Sequence, residues 1–529
     1  MPNQITIYDT TLRDGTQGDQ VNLSAEDKLR IAQKLDEYGI PYIEGGWPGS
    51  NPKDARFFEL VQKKTFSSAC ITAFGSTRKP TVRPEEDRNL EALLKAETKA
   101  VAVFGKSWDL HVSQILEVTL DENLAMIEES LAYLKAKGRE VLFDAEHFFD
   151  GYKHNPDYAL KTIKAAMNGG ADLIVLCDTN GGSMPYEISA ILKQALPQLT
   201  VPVGIHTHND CGLALANSLV AVNAGATMVQ GAINGYGERC GNVDLIAAMG
   251  NLQFKMGYAC ISPERLAHLT ELSRFVSEVA NVPPLNQRPF VGRSAFAHKG
   301  GVHVSAIAKN PAAYEHMEPE LVGNRRRVLV SDLSGKSNIE YKSREMGIRL
   351  GGKGFDSQKI VRKIKQLEDE GYQFDAAEGS LELLIKKVTG QFKEPFVLES
   401  FRVTSEKDRG GATSSQATIK ITVGADEEIT AAEGDGPVNA LDNALRKALT
   451  KFFPHIKEMG LVDFKVRVID GCDATAAKVR VQIESRDTRE IWSTIGVSKD
   501  IIEASWQALA DSVQYKLSKN ADQDRSNGD

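Results

Sequence analysis

The sequence predicts an α/β protein with three parts: a (β/α)8 TIM barrel, a helical linker region and a C-terminal α+β domain that contains a βββα repeat. Eight strand–helix units within about 260 residues match the number and size of the units in such a barrel. The predicted strands are continuously apolar, as expected for parallel strands that are buried on both faces. Near residue 397 the pattern changes to antiparallel strands with two helices, which indicates a separate C-terminal fold.

The predicted strands and helices of the barrel alternate in order, with recognisable signals where the helices begin. Ser24 and Asp27 form a predicted capping box at the start of the first helix, which ends at Gly39. Two Asn-Pro pairs, at 51–52 and 155–156, place a capping amide before a proline at the first helical position. The strands are predicted at 5–9, 41–44, 69–74, 100–104, 140–144, 172–176, 201–205 and 228–233. The helices are predicted at 24–39, from 52, at 89–97, 121–137, from 156, at 187–196 and at 214–224.

A doubly wound open sheet is the structural alternative to the barrel, because it also alternates strands and helices. The loop after the first strand, Thr10-Thr11-Leu12-Arg13-Asp14-Gly15, lacks the G-x-G-x-x-G motif that dinucleotide-binding sheets of this kind often carry. The barrel is therefore the preferred prediction.

The second half of the chain is divided by composition and pattern. Val282-Pro283-Pro284 marks a boundary, so we expect the barrel at 1–280 and a linker with helical subdomains at 281–395, including helices at 357–370 and 380–388. The C-terminal domain is expected at 396–520. Its two βββα units comprise strands near 401, at 417–423 and 428–432 with a helix at 438–453, and strands at 464–469, 477–484 and 490–494 with a helix at 501–517. The polar tail at 521–529 has little to bury and is expected to be disordered.

The composition is that of an ordinary globular protein and argues against several classes. The chain has 529 residues, of which 42% are hydrophobic and 25% charged, and its net charge of −8 argues against a nucleic-acid binder. No apolar stretch approaches the roughly 20 residues that a membrane-spanning helix needs, and we expect no signal peptide. Scattered cysteines favour a reducing, cytoplasmic setting over a disulfide framework. The six are Cys70, Cys177, Cys211, Cys240, Cys260 and Cys472.

His206-Thr207-His208-Asn209, at the end of the seventh predicted strand, is the most informative motif in the chain. Side chains alternate along a strand, so His206 and His208 lie on one face, where two neutral imidazoles can bind a divalent cation. Asp14 follows the first strand and would share the barrel mouth with both histidines. Two histidines alone are a weak motif, and a chance pair on a half-exposed strand is the simpler explanation of them. The other strand ends favour the metal site.

Polar residues collect at the carboxyl ends of the predicted strands, where barrel enzymes carry their catalytic groups. One carboxylate, two imidazoles and an amide oxygen suit Mg²⁺ or Mn²⁺, whose open positions can accept a bidentate α-keto acid. We expect Arg13 to stabilise the developing alkoxide, Glu146 to orient groups or move protons, and Thr179 to bind the substrate carboxylate. The alternatives are a salt bridge at Arg13, surface or capping roles at Glu146 and Thr179, and a purely structural role at Glu44. The strand-end set comprises Arg13, Asp14, Glu44, Asp144, Glu146, Asp178, Thr179, His206, His208, Asn234, Glu238, Arg239 and Asn242.

At these positions the chain resembles the metal-dependent Claisen-condensing family of α-isopropylmalate, homocitrate and citramalate synthases. Three strings carry the resemblance: Asp9-Thr10-Thr11-Leu12-Arg13-Asp14-Gly15-Thr16-Gln17, His206-Thr207-His208-Asn209-Asp210, and Asn234-Gly235-Tyr236-Gly237-Glu238-Arg239-Cys240-Gly241-Asn242. The resemblance implies a metal site of one carboxylate, two imidazoles and one amide, namely Asp14, His206, His208 and Asn242. It also implies catalytic roles for Arg13 and Glu146 and a substrate-binding role for Thr179.

The same resemblance implies a histidine and a tyrosine from beyond the barrel. The histidine matches His303 in Ala297-His298-Lys299-Gly300-Gly301-Val302-His303, with His298 as the rival, and the tyrosine matches Tyr314. His303 is expected to assist proton transfer from the acetyl group, which is a usual role of imidazole.

Three further strings resemble the citramalate synthase branch of this family: Glu44-Gly45-Gly46-Trp47-Pro48-Gly49, Gly235-Tyr236-Gly237-Glu238-Arg239-Cys240, and Trp492-Ser493-Thr494-Ile495-Gly496-Val497-Ser498. The branch implies acetyl-CoA and pyruvate as substrates. The implied substrate-site residues are Arg13, Glu44, Asp144 and Thr179, and Asp144 occupies a position where the family varies. The sister activities, with 2-oxoisovalerate or 2-oxoglutarate as the acceptor, are the alternatives.

The string Gly434-Asp435-Gly436-Pro437-Val438-Asn439-Ala440 resembles the C-terminal regulatory domain of the same family. It implies a homodimer that is inhibited by the end product of its pathway, which is isoleucine for the citramalate branch. A metal-dependent acyl-CoA lyase or 4-hydroxy-2-oxoacid aldolase would use the same barrel mouth and is the alternative from another class. Such a lyase has no need of the βββα repeat. A non-catalytic binding protein would need no metal, arginine and glutamate at one mouth.

Overall fold

The computed structural model describes residues 4–350, 357–407, 409–469 and 476–526. These residues form two compact units, which are described separately. The first unit runs to Phe296 and also includes Met317–Arg325. The second unit consists of Ala297–His316 and the chain from Arg326 onward.

The first unit contains a closed barrel of eight parallel strands in sequential order. The strands are β1 Thr6–Asp9, β2 Tyr42–Gly46, β3 Cys70–Ser76, β4 Ala100–Lys106, β5 Glu140–Glu146, β6 Leu173–Asp178, β7 Val203–Thr207 and β8 Met228–Gly231. β1 closes the barrel by pairing with β8 in the register Asp9 with Gly231. The (β/α)8 prediction is confirmed, and the open doubly wound sheet is wrong.

The barrel strands are apolar throughout because their two faces bury different cores. Ile7 and Val101 pack into the large core that also contains residues of the surrounding helices. Their neighbours Tyr8 and Ala102 belong to a smaller cluster with Phe74. Both faces exclude water, so both select apolar residues. The exceptions are the polar side chains that the site uses.

Seven of the twelve helices described in the first unit begin within two residues of a predicted start, and the other five were not predicted. Ser24 and Asp27 form the capping box of the first helix, and Gly39 ends it in the left-handed region with φ of 90°. Asn51 and Asn155 cap the helices that follow their Asn-Pro pairs. The helices are α1 Ala25–Tyr38, α2 Pro52–Val61, α3 Arg88–Lys95, α4 Asp109–Gln114, α5 Leu120–Ala136, α6 Phe148–His154, α7 Pro156–Asn168, α8 Pro185–Ala195, α9 Ala214–Ala224, α10 Leu245–Phe254, α11 Pro263–Leu266 and α12 Leu269–Val279.

The second unit begins with a small subdomain that contains more than the predicted helices. Two short strands, β9 Ala297–His298 and β10 Arg327–Val328, pair in parallel. The helices are α13 Gly301–Ile307, α14 Lys336–Glu345, α15 Gln358–Asp369 and α16 Glu378–Val388. The last two confirm the helices predicted in the linker. They pack around Ile339, Ile360 and Ile364 in a separate small core.

The rest of the second unit confirms the βββα repeat. The first copy is β11 Val397–Lys407, β12 Thr413–Val423, β13 Asp426–Gly434 and α17 Pro437–Thr450. The second is β14 Gly460–Val468, β15 Val479–Arg486, β16 Ile491–Ser498 and α18 Ile501–Ser526. Each set of strands forms an antiparallel sheet in sequential order. Alternate residues such as Ile419 and Ile421 share one core with helix residues such as Leu445, as expected for sheets with one covered face.

The tail at 521–529, for which the sequence predicts disorder, begins inside helix α18, and its disorder stays a prediction. Helix α18 continues through Ser526, and the last three residues of the predicted tail lie outside the described residues. An established helix adds one hydrogen bond for each further residue, so polar composition alone does not end it. None of the described helices, α18 included, has the length and apolar character needed to cross a membrane.

Candidate active site at the barrel mouth

Asp14, His206 and His208 form a buried cluster at the carboxyl end of the barrel strands. Asp14 lies in the loop after β1, His206 on β7, and His208 immediately beyond β7. The Nε2 atoms of the two histidines lie 3.2 Å apart. Asp14 Oδ2 lies 3.6 Å from Nε2 of His206 and 3.7 Å from Nε2 of His208. Three ligand atoms that converge in this way can hold a metal ion.

The hydrogen bonding of the cluster is incomplete in a way that fits a cation. Asp14 Oδ1 and Asn242 Oδ1 are buried and have no hydrogen-bond partner among the described residues. A buried oxygen without a hydrogen-bond partner destabilises the folded state. A divalent ion bound here would supply a partner for both oxygens. Asn242 lies next to the cluster because its backbone bridges that of His208. Gly237 makes room for the Asn242 amide, since a Cβ at position 237 would overlap it.

The protonation states of the cluster also favour a cation. Burial, followed by the neighbouring His208, lowers the pKa of His206 to about 3, so its imidazole stays neutral at physiological pH. Burial also lowers the pKa of His208. For Asp14, burial would raise the pKa, but the positive charge of the adjacent Arg13 guanidinium lowers it below its usual value. A carboxylate and two neutral imidazoles are the forms that bind metals.

Arg13 is held beside the cluster by two carboxylates and an aromatic ring. Its Nε donates to Glu44 Oε2 at 2.6 Å, and its Nη1 lies 3.1 Å from Asp14 Oδ2. The guanidinium stacks 3.8 Å above the ring of Phe74. Glu44 is itself buried and accepts hydrogen bonds from the hydroxyls of Tyr8, at 2.9 Å, and Thr10. Arg13 is thus both a salt-bridge partner and a fixed positive charge at the mouth.

Asp144 reaches the cluster through a residue that the sequence analysis missed. Gln230 Nε2 donates to Asp144 Oδ1 at 3.2 Å, and Gln230 Oε1 lies 3.1 Å from His206 Nδ1. Burial, followed by the charge of Glu44, raises the pKa of Asp144 to about 7. The available signal was a glutamine inside the apolar strand β8, where a buried polar side chain needs partners.

Glu146 and Thr179 occupy neighbouring strand ends and have different partners. Glu146 forms an ion pair with Lys106 at the end of β4, which the sequence analysis also missed. The Thr179 hydroxyl accepts a hydrogen bond of 2.8 Å from the backbone N–H of His147. Lys106 follows an apolar strand in the sequence, so its position among the strand ends was a usable signal.

Four residues of the strand-end set bond to neighbouring loops or to a helix. Asp178 accepts from the Ser183 hydroxyl at 2.8 Å. Asn234 bonds to serines of helix α12, including a 2.6 Å hydrogen bond from Ser273. Arg239 pairs with Asp210 at 2.7 Å, and Glu238 forms a longer ion pair with Arg239. These bonds tie Asn234 to helix α12 and Arg239 to the loop after β7, and a place in the polar ring stays a prediction for all four.

The residues predicted from beyond the barrel lie in the second compact unit. The rings of His303 and Tyr314 stack with centroids 4.1 Å apart, and both side chains are exposed. His298, the rival of His303, instead bonds through Nε2 to Glu315 at 3.0 Å. This favours His303 over His298 for proton transfer, and the catalytic roles of His303 and Tyr314 stay predictions.

Family models match the chain in three consecutive segments. Residues 4–276 match the HMGL-like family, and 290–372 match the homocitrate synthase post-HMGL domain-like family. Residues 375–517 match the LeuA allosteric (dimerisation) domain. The first segment corresponds to the barrel and the third contains the βββα repeat.

Relatives match over nearly the whole chain. The (R)-citramalate synthase of Geobacter sulfurreducens is 55% identical over 517 residues, which is 98% of each chain. That of Aquifex aeolicus is 54% identical over 525 residues, or 99% of each chain. A probable 2-isopropylmalate synthase of Methanopyrus kandleri is 33% identical over 525 residues, which cover 99% of this chain and 100% of that one. The chain belongs to the (R)-citramalate synthase family, with an HMGL-like barrel and a LeuA-type C-terminal domain.

Proposed function

We propose that the barrel mouth condenses acetyl-CoA with pyruvate and hydrolyses the thioester, releasing (R)-citramalate and CoA for isoleucine biosynthesis. The observation that carries the proposal is the buried Asp14–His206–His208 cluster with Arg13 beside it, in a chain that is 55% identical to an (R)-citramalate synthase. We propose Mg²⁺ or Mn²⁺ as the ion, since oxygen and imidazole ligands without thiolates suit either. The cytoplasmic setting stays a prediction.

Each residue of the barrel mouth has a separate role in this reaction. Asp14, His206, His208 and Asn242 would hold the ion, which as a Lewis acid polarises the keto group of pyruvate. Arg13 supplies positive charge where the keto oxygen becomes an alkoxide. Thr179 binds the pyruvate carboxylate through its hydroxyl.

The reaction also requires proton transfer and hydrolysis of the thioester. A base removes a proton from the acetyl methyl group, and the resulting enolate carbon forms the new bond to the keto carbon. The keto C=O π bond breaks to an alkoxide, which takes up a proton and becomes the tertiary hydroxyl. We assign His303 and Tyr314 to this transfer and Glu146 to orienting the reacting groups. One water then breaks the thioester, so that citramalate and free CoA leave and the condensation becomes irreversible.

The deciding experiment is a panel of keto acids. Purified protein with acetyl-CoA, pyruvate and Mn²⁺ should release free CoA, detected with a thiol reagent, and a chelator should abolish the release. Release without any keto acid is the control for simple hydrolysis. Faster release with 2-oxoisovalerate or 2-oxoglutarate would reassign the chain to a 2-isopropylmalate or homocitrate activity.

A metal-dependent acyl-CoA lyase or aldolase is the alternative from another reaction class. The Asp14–His206–His208 cluster would serve it equally well, but the LeuA-type domain favours a regulated synthase. Cleavage of a hydroxyacyl-CoA, with no CoA release from acetyl-CoA and any keto acid of the panel, would establish the lyase.

We propose that the C-terminal domain makes a homodimer and transmits inhibition by isoleucine. Isoleucine should lower the rate of CoA release several-fold, because coupling between two sites is typically worth roughly 1–3 kcal/mol. Leucine and lysine at the same concentration are the controls, and light scattering should give twice the chain mass of 57.8 kDa. A chain that responds to none of the three amino acids would leave the domain as a dimerisation platform only.

A further inference from the structure

We propose that Gln230 is a positioning residue that couples the keto-acid pocket at Asp144 to the metal ligand His206. The inference deepens the proposed function and rests on it, with Asp144 as the substrate-site residue that the family resemblance implies. Its geometric basis is one amide that contacts both groups, at 3.2 Å from Asp144 and 3.1 Å from His206. Among the described residues, the Gln230 amide bonds to Asp144 and His206 and not to Asp14 or His208, so it acts through these two neighbours.

The chemistry of the amide fixes the proton on His206. An amide has one acceptor atom and one donor group, and Asp144 takes the donor of Gln230. The acceptor oxygen therefore faces His206 Nδ1, which must carry the imidazole proton. Nε2 is then left with its lone pair, and it is Nε2 that converges with Asp14 and His208. The opposite tautomer would put a proton inside the metal cluster.

The strand register places Gln230 between His206 of β7 and Tyr8 of β1. Gln230 is fully buried, and it lies directly beside His206 in the register of β7 and β8. On its other side it pairs with Tyr8 of β1, whose hydroxyl is already bonded to Glu44. An apolar side chain at position 230 would leave both Asp144 and His206 Nδ1 without this hydrogen bond.

The expected consequence is a metal affinity that depends on Gln230. Groups that orient a metal-bound imidazole through its second nitrogen typically change metal affinity by about 10- to 100-fold. Because Asp144 accepts a hydrogen bond from the same amide, a substitution of Asp144 should also change the metal affinity. The two halves of this coupling can be tested separately.

The first test measures Mn²⁺ affinity of the full-length chain by competition with a chromophoric chelator, without substrate. Gln230→Met should weaken binding roughly 10-fold. Gln230→Glu should lose less affinity than Gln230→Met, because its carboxylate still accepts from His206 Nδ1 although the amide donor to Asp144 is gone. Gln253→Met is the matched control, since Gln253 bonds to Cys260 and contacts no residue of the site. Equal losses in Gln230→Met and Gln253→Met, or in Gln230→Met and Gln230→Glu, would overturn the proposal.

The second test uses Asp144 and also serves if Gln230→Met fails to fold. Asp144→Asn and Asp144→Leu remove the same charge and have similar shapes, but only Asn keeps an oxygen for the Gln230 amide. Mn²⁺ should bind several-fold more tightly to the Asn variant than to the Leu variant. Equal affinities would overturn the coupling. Because the readout is metal binding, a reassigned keto acid in the substrate panel would leave this result standing.

Discussion

Replacing Asp14 by Asn or His208 by Ala should lower the rate of CoA release by about 1,000-fold. His208→Ala removes one of the three converging ligand atoms, which lie within 3.7 Å of one another, and Asp14→Asn removes the negative charge of another. Lewis-acid activation is worth several kcal/mol, and each 1.4 kcal/mol is tenfold in rate. Mn²⁺ affinity, measured by chelator competition, should fall together with the rate.

Two matched substitutions separate loss of the metal from loss of the fold. Asp178→Asn also replaces a buried carboxylate at a strand end by an amide. Asp178 accepts a hydrogen bond from Ser183 and is not part of the cluster. His268→Ala removes an exposed histidine that pairs with Glu271. Both should keep their Mn²⁺ affinity. Normal Mn²⁺ binding and turnover in Asp14→Asn or in His208→Ala would remove that residue from the site.

Arg13→Ala should keep the metal and lose turnover. Deleting one group that stabilises developing oxyanion charge typically costs about 100- to 1,000-fold in kcat. The ligand atoms of Asp14 and the two histidines are unchanged by this substitution, so Mn²⁺ affinity should change far less than kcat. Steady-state CoA release at saturating pyruvate, together with a metal-binding titration, gives both quantities.

The control for Arg13 is another buried arginine of the same barrel. Arg78 pairs with Glu122 and Glu129 and lies outside the site, so Arg78→Ala removes a comparable charge without touching the chemistry. Thermal melting of both variants is needed, because Arg13→Ala leaves Glu44 buried without its cation. A kcat that falls equally in both variants would assign Arg13 a structural role only.

The sequence by itself determined the barrel and the nucleus of its site. Strand–helix alternation, capping residues such as Ser24 and Asn51, and continuous apolar runs are local signals that the structure confirms element by element. In a parallel barrel all strands end on one face. That rule alone was enough to bring Asp14 from the first strand to His206 and His208 on the seventh.

The tertiary structure decided which polar groups at that face work together. Gln230 bonds to Asp144 and Lys106 pairs with Glu146, which the sequence did not predict. Asn234 bonds to Ser273, and Arg239 pairs with Asp210. Proximity to a strand end does not tell whether a side chain bonds to the cluster or to a neighbouring loop or helix. That choice depends on which partner satisfies a buried polar group, and the partners are distant in sequence. Only the closed barrel brings those partners within reach.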